Sequence, residues 1–461
     1  MSIASLKRFE IAPMNQSSGS SSFSYREGNP LIQFEIGAED LYLMSHTLRI
    51  NFKLNLKNAP GSARVQPNNN NQIVAAGLEE VLLNNKIGCA GCIENITISN
   101  LQNNTLEYCR AYPRLLSSLI AGGAGWGDYS GYLTQTFAAT ANKQCQGRLC
   151  NREMDVSMPL MCGIFLNGEN IPLSFRSGTG GLRISLMLSP SIQALFGSTP
   201  GTTNNSYYEL SQISLTGQYG VPVGGVLPSI KSLGFSAYQN FYSVINNNDN
   251  TQQISPSLAA VVSQFTNFVP TEHISTYAQD GYKTTPLLNK TGVGAGGGPQ
   301  VNPAPIDGVS FLRSGTQYPL RFKLDSRLLV NFDPAAAANN VWATSGFDAQ
   351  RQLYYQSSLR PLRRTTMCLA GANSEGLTIA NGDINHNSVT NLGANGQQQC
   401  YGIGCRYDAM GNGSTANFKA QSFSLRLQSK LDGVSPMSAY TYFLHRGVIN
   451  YDGNGIVSIS T

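Results

Sequence analysis

The sequence predicts an all-β fold made of two fused β-sandwiches of about eight strands each. Three observations predict it. Turn-forming and aromatic residues are abundant, with 47 Gly, 21 Pro, 21 Tyr and 19 Phe in 461 residues, whereas charged residues make up only 12%, about half the usual share of roughly 25%. Apolar and polar residues alternate with period two in segment after segment. One local pattern also occurs once in each half of the chain.

Composition excludes several classes. Sustained disorder needs few aromatics and high net charge, and the net charge here is +5. Long solvated helices and coiled coils need Glu, Lys and Arg in abundance. There is no run of about 18 apolar residues, so no membrane-crossing helix is expected. Residues 1–24 lack an apolar core followed by a cleavage site, so a secretory route is not expected. A charge of +5 is too small to mark nucleic acid as the main partner. A surface poor in charge provides little repulsion between copies, and its Asn-, Gln- and Tyr-rich faces lose water at low cost, which points to assembly.

Along the chain, residues 1–29 are polar, Ser-rich and aperiodic, and read as an arm that is disordered or ordered only by a partner. The clearest strand follows: Leu48, Ile50, Phe52, Leu54 and Leu56 alternate with Arg49, Asn51, Lys53 and Asn55, giving one apolar and one polar face. Residues 31–36 are its expected partner. Further strands are expected at 93–98, 155–165, 171–175, 182–188 and 208–216. In the second half they are expected at 233–245, 309–312, 319–324, 327–332, 418–427, 440–444 and 456–459. Asn167-Gly168, Asp432-Gly433 and Asn454-Gly455 are turn signals, because both residue types tolerate positive φ. Helical periodicity is read at 106–121, 257–268 and 348–364. The segments 57–91, 122–152, 275–307 and 371–416 are long, Asn- and Gly-rich loops, two in each half.

The recurring pattern is Phe165-Leu166, a turn, Gly168, then Pro172-Leu173-Ser-Phe175-Arg176. Phe311-Leu312, Gly315 and Pro319-Leu320-Arg-Phe322-Lys323 repeat it. Each reads as a hairpin whose return strand starts with Pro, where no ladder donor is needed. A duplicated β domain follows, with its boundary at Gly224-Gly225-Val-Leu-Pro228. The expected division is an arm at 1–29, a first unit at 30–227 and a second at 228–461. About eight strands in some two hundred residues is the size of a jelly roll, so the expected class is a double jelly roll with a few short helices in its long loops.

With these residues set out, the chain resembles the double jelly-roll major capsid proteins of icosahedral double-stranded DNA viruses, in particular those of virophages and of polinton-like and adinto-like viruses. The resemblance lies in Tyr42-Leu-Met-Ser-His-Thr-Leu-Arg-Ile-Asn-Phe-Lys-Leu, which is similar to a first-roll opening. It lies also in Val261-Val-Ser-Gln-Phe265-Thr-Asn-Phe268-Val-Pro270, which looks like a short helix of the second roll. The closing strands of the family are matched by Phe423-Ser-Leu-Arg-Leu-Gln-Ser, Ala439-Tyr-Thr-Tyr-Phe-Leu and Asn454-Gly-Ile-Val. The resemblance implies a homotrimer that presents six jelly rolls as a pseudo-hexagonal capsomer. It implies neighbouring capsomers and minor or penton capsid proteins as partners, with the N-terminal arm facing an inner membrane or the genome. It also implies location in the virion and no enzymatic activity. A carbohydrate-binding or hydrolysing β-sandwich protein, or a viral attachment protein, is the alternative class; a penton-type single jelly roll is disfavoured by the length and the duplication.

No catalytic or cofactor-binding residue and no cofactor is assigned. The nine cysteines are Cys89, Cys92, Cys109, Cys145, Cys150, Cys162, Cys368, Cys400 and Cys405. An odd count argues against a disulfide scaffold. Cys89-x2-Cys92 and Cys145-x4-Cys150 leave two readings open, a zinc or disulfide site joining two loops, or reduced loop cysteines. Cys400-x4-Cys405 repeats the second spacing. His46, His273, His386 and His445 form no helical pair, and no Gly-x-Ser-x-Gly elbow occurs. The Gly-rich runs at 122–127 and 292–298 lack the Gly-Lys-Ser/Thr of a phosphate cradle. Sequons such as Asn95-Ile96-Thr97 and Asn412-Gly413-Ser414 are expected to be unmodified. Arg360, Arg363 and Arg364 form the one basic cluster, read as a subunit contact or solvated face, and Lys7-Arg8 lie in the arm. Tyr207, Tyr208, Tyr238, Tyr242, Tyr440 and Tyr442 read as core and interface aromatics. Trp is scarce (Trp126 and Trp342), which disfavours a sugar-lined cleft.

Overall fold

The alternation at 48–56 folds into a strand with one dry face. Ile50, Phe52 and Leu54 are buried, and Arg49, Asn51 and Lys53 on the other face are half-buried. In this computed structural model the described residues are 3–16, 22–57, 66–67, 73–75, 79–83, 88–116, 153–166, 169–176, 178–197, 207–245, 250–254, 256–270, 279–280, 306–307, 320–324, 327–331, 403–406, 415, 417–419, 425–429, 437–452 and 457–461.

One sheet runs in the order β11 (Glu153–Pro159), β5 (Arg49–Lys57), β15 (Tyr207–Pro222), β4 (Tyr42–Leu43) and β12 (Ile171–Pro172). The opposite edge of β15 carries β1 (Ile3–Ile11) and β2 (Ser22–Phe23). The second sheet runs β23 (Ile403–Arg406), β18 (Val261–Pro270), β25 (Met437–Tyr451), β16 (Ser232–Ile245), β10 (Thr105–Cys109), β9 (Ile93–Ser99), β13 (Leu182–Leu188) and β3 (Leu31–Ile36), and β26 (Val457–Ser460) pairs with β25. Two four-stranded sheets complete the set, one of β14 (Leu195–Gly197), β8 (Glu79–Leu83), β7 (Ile73–Ala75) and β6 (Gln66–Pro67), the other of β17 (Asn250–Ile254), β24 (Leu425–Ser429), β21 (Leu320–Leu324) and β22 (Arg327–Asn331). A two-stranded pair joins β19 (Gln279–Asp280) to β20 (Ile306–Asp307).

The register aligns apolar side chains across each sheet. Ile50 lies opposite Met158 on one side and Leu215 on the other. Leu186 lies between Ile32 and Ile96, and Ile184 between Phe34 and Ile98. These inward faces meet as one core, which also takes in Leu233, Phe235, Ala237, Tyr440, Tyr442 and Ile449 from the second half. Each such Ile or Leu contributes about 1.5–3 kcal/mol by burial. Where β15 shifts register against β5, Gln212 has φ 50 and is exposed, a β-bulge that absorbs one extra residue.

Helix is confined to short turns among the described residues, such as Ser191–Ala194 and residues 112–116. Two expected helices are therefore corrected. Residues 105–109 are a strand and, among the described residues of that segment, 112–116 turn helically, and 261–270 is strand β18, paired over most of its length with β25. β-Branched Val261 and Val262, both buried, favour the extended form. The arm is also corrected in part: Ile3–Ile11 pairs with β15, with one register shift between Ile3 and Ser5. Most of its side chains are exposed, so the main chain largely holds it, helped by Ile11 against the core and by Phe9, which stacks on Tyr219 with ring centroids 4.1 Å apart. Segments 309–312 and 348–364 and the Asn167-Gly168 and Asp432-Gly433 turns lie outside the described residues, whereas β25 and β26 pair on either side of Asn454-Gly455, as a hairpin requires.

Candidate functional site: the joint between the two halves

The nine-stranded sheet crosses from the first half to the second at a single place. There β10 pairs with β16 in parallel, and the ladder consists of one residue pair, Tyr108 and Gln239. Elsewhere the paired strands are antiparallel. So short a ladder holds little by itself, and side chains supply the rest of the connection.

Glu107 is the centre of the joint. It follows Leu106 in β10 and is only 2% exposed. Its Oε1 accepts the backbone N–H of Gly163 at 2.8 Å and of Tyr238 at 3.0 Å, and its Oε2 accepts that of Ile164 at 2.9 Å. One carboxylate thus ties together β10, the turn after β11, and β16 of the second half. Burial pushes the Glu107 carboxyl above the usual range, and the three amides and the Cys109 thiol oppose that shift by hydrogen-bonding the charged form. Charge-assisted bonds of this kind are about twice as strong as neutral ones.

Close packing surrounds this carboxylate. A Cβ on Gly163 would stand 2.8 Å from the Ala237 Cα and 3.0 Å from the Ser236 carbonyl oxygen, so only glycine lets the turn approach β16. Tyr112 accepts the Met161 N–H at 3.0 Å. The fully buried guanidinium of Arg114 lies over the Tyr440 ring, 4.7 Å from its centroid. Tyr442 donates to the Ala111 carbonyl at 3.4 Å. At the far strand, Gln102 Oε1 accepts the Val457 N–H at 3.1 Å, and Asn104 Nδ2 donates to the Val457 carbonyl at 2.9 Å. A small cavity, lined in part by Ile164, Ile171, Leu233 and Phe235, lies between the halves and is too small for an organic ligand.

Chemically, this arrangement fixes geometry. Three of the roughly four acceptor positions of the Glu107 carboxylate face backbone amides, which is the arrangement of a structural anchor. Two thiols adjoin it: Cys109 Sγ is 3.3 Å from Oε1, and Cys162 lies within hydrogen-bonding reach of Cys109. The sulfurs and a carboxylate oxygen lie within 4.8 Å of one another, a possible metal-ligand set. Its fit to a metal is poor, because ligation would compete with the amides for Glu107 and would require two thiolates where burial strongly favours the neutral thiols.

The residues singled out in the sequence fall as follows. Cys89 and Cys92 lie not in an open loop but in the 3-10 turn Gly88–Cys92, where both are fully buried. Burial pushes both thiols well up from their ordinary range, so neither serves as a ready thiolate. Cys145, Cys150, Cys368 and Cys400 lie outside the described residues, as do His273, His386, Arg360, Arg363, Arg364, Trp126 and Trp342, and Cys405 lies in β23. The zinc or disulfide reading joins Cys89 and Cys92 to Cys145 and Cys150 and so lies in part outside the described residues. His46 takes φ 62 in the turn before β5, and His445 is buried in β25. Lys7 and Arg8 are exposed on β1. Tyr207, Tyr208, Tyr238, Tyr440 and Tyr442 are buried, and Tyr242 is partly exposed against the Tyr440 ring, so these side chains are core and contact aromatics as expected. Glu107 and the Cys109–Cys162 pair were not found from sequence; the only available signal was an acidic residue within the apolar stretch Leu106–Cys109.

No family model and no curated protein matches the chain. Solved structures do. The PBCV-1 virus capsid aligns with 99% of this chain and 97% of its own, at 10% identity and a TM-score of 0.58. PBCV-1 VP54, fitted into a reconstruction of the virophage Sputnik, aligns over the same shares at 11% identity and 0.57. The Faustovirus major capsid protein aligns over 98% and 91% at 11% identity and 0.50. The chain therefore has the double jelly-roll fold of these structural capsid proteins over nearly its whole length.

Proposed function

We propose that this chain is a major capsid protein: a non-enzymatic building block whose three copies form a pseudo-hexagonal capsomer of an icosahedral shell. One observation carries the reading. The likeness to the PBCV-1 capsid extends over both chains almost end to end, so what is shared is the paired arrangement of two rolls, the feature on which near-sixfold tiling depends. A rigid joint supports it, because two rolls that rocked against each other could not present constant edges to neighbours. Glu107, Arg114 and the Gln102–Val457 contact supply that rigidity. We place the division between the rolls at 227/228, within the connection from β15 to β16. The polar outer face of the first sheet fits assembly too. Its Asn51–Ser214 and Asn51–Thr216 hydrogen bonds satisfy neutral groups in advance, so little is lost when a neighbour displaces water.

The test is size-exclusion chromatography of the full chain with light scattering, followed by negative-stain microscopy. A species of about three times the 49.6 kDa chain mass, seen as hexagon-like particles or shells, is expected. A well-folded monomer persisting at micromolar concentration overturns the proposal. Screening for glycan binding and hydrolysis tests the alternative class.

A further inference from the structure

We propose that Cys109 and Cys162 form a disulfide that fixes β10 to the turn after β11, on the first-half side of the joint, when the chain meets an oxidising environment. The two cysteines come from separate segments, the end of β10 and the turn after β11, and their sulfurs, together with a Glu107 oxygen, lie within 4.8 Å of one another. Both are free and at most 1% exposed. The sulfurs must close from this separation to about 2.05 Å, with the Cβ atoms about 3.5–4.5 Å apart. The metal reading is the weaker one here, because the Glu107 oxygens already hold the amides of Gly163, Ile164 and Tyr238.

The chemistry is thiol–disulfide exchange with a low-molecular-weight disulfide such as oxidised glutathione. Glu107, 3.3 Å from Cys109 Sγ, takes the thiol proton. The Cys109 thiolate attacks the small disulfide, forms a mixed disulfide and expels one thiolate. Cys162 then loses its proton, attacks the Cys109 sulfur and expels the second. Two protein thiols are oxidised, one small disulfide is reduced to two thiols, and both protons end on those products. The closed joint shields both sulfurs, so exchange takes place while the turn at 160–166 is open. Once the joint closes, the same burial protects the bond from reductant. The linkage closes a loop of about fifty residues, which restricts the unfolded chain. It would also hold the Gly163–Ile164 amides against Glu107.

The experiment uses the full chain, purified under reductant, then incubated with oxidised glutathione under partly destabilising conditions and returned to native buffer. The protein is denatured in N-ethylmaleimide, digested and mapped by mass spectrometry. The expected result is a linked Cys109–Cys162 peptide that resists reductant until the protein unfolds, with a melting temperature higher by roughly several degrees. Cys162→Ala abolishes both the linked peptide and the redox dependence of melting; where that variant folds poorly, Cys162→Ser replaces it, and the wild-type map decides alone. Recovery of Cys109 and Cys162 as separate adducts after oxidation overturns the proposal, as does one zinc per untreated chain that is lost in Cys162→Ala. A monomer that carries the linked peptide keeps this inference and removes the proposed assembly, so the two fail separately.

Discussion

In the sandwich of the first half, Ile32, Phe34, Ile184, Leu186, Ile96 and Ile98 meet as aliphatic and aromatic surface. At the joint, apolar contacts of Leu233, Phe235 and Ile449 are joined by directional ones through a carboxylate, a guanidinium and two side-chain amides. The two regions respond differently to change. Burial of apolar area is non-directional, so a core tolerates small changes of shape by partial relaxation. Hydrogen bonds to a buried charge are directional, and removing one partner strands the others without solvent. The sandwich therefore supplies most of the stabilisation, and the joint specifies how the second half sits on the first.

The sharpest way to break that contrast is Glu107→Ala. It leaves the amides of Gly163, Ile164 and Tyr238 without their acceptor in a dry site. A loss of about 3–5 kcal/mol is expected, read as a lower denaturation midpoint in urea. Glu107→Gln should recover only part of the loss, because its NH2 would face an N–H at one of the two oxygen positions. A loss below about 1 kcal/mol for the alanine variant would show that the ladder and the apolar contacts hold the joint unaided.

The second effect depends on pH. His445 is 3% exposed, and burial lowers its pKa from 6.5 to about 4, opposed by a contact with the Arg446 backbone and helped by a smaller push from Lys419. Between those values the unfolded chain holds the proton and the native chain does not. Stability is therefore full above pH 6.5 and falls as the pH drops, by at most about 1.4 kcal/mol per unit, to a loss of about 3 kcal/mol below pH 4. Glu107 acts in the opposite sense, because its raised pKa lets the native state hold a proton better than the unfolded chain does. His445→Leu should flatten the fall between pH 6.5 and 4 in melting measurements. An unchanged slope would assign the acid sensitivity to other groups.

A third test probes packing at the joint. Gly163→Ala places a methyl against the backbone of Ala237 and Ser236, neither of which can swing away. About 1–3 kcal/mol of destabilisation is expected from overpacking, together with a changed exposure of β16 amides in hydrogen exchange. Gly234, on the same strand, has open space where a Cβ would stand, so Gly234→Ala is the matched control and should be neutral or slightly stabilising.

The sandwich was largely legible in the sequence and the joint was not, for a physical reason. Strands at 31–36, 48–56, 93–98 and 182–188 announce themselves because one face of each is dry, and period-two patterning records that locally. The strand at 3–11 was missed because its faces are mostly exposed, so its ladder with β15 leaves no pattern. Residues 106–121 read as helix, and Leu106, Cys109, Tyr112 and Leu116 do fall at helical spacing. In the fold, Cys109 ends a strand and Tyr112 and Leu116 lie in the turn after it. Val261, Phe265 and Phe268 misled in the same way. Glu107 carried no motif, since its partners are 56, 57 and 131 positions away. The four conspicuous cysteines at 89, 92, 145 and 150 drew attention through close spacing, whereas Cys109 and Cys162 adjoin only through the fold.

The smallest predicted effect is on the sandwich side and gives the contrast its scale. Ile184 is fully buried between Phe34 and Ile98. Ile184→Val removes one methylene and leaves every hydrogen bond intact, so about 0.5–1.5 kcal/mol should be lost. The two regions can then be compared by combining substitutions. If the sandwich and the joint act independently, Ile184→Val and Glu107→Ala should add within about 0.5 kcal/mol in a double-mutant cycle. A larger coupling would mean that the core and the joint relax together. The second half would then be docked by the shape of the whole sandwich, and the Glu107 carboxylate would be one contact among many.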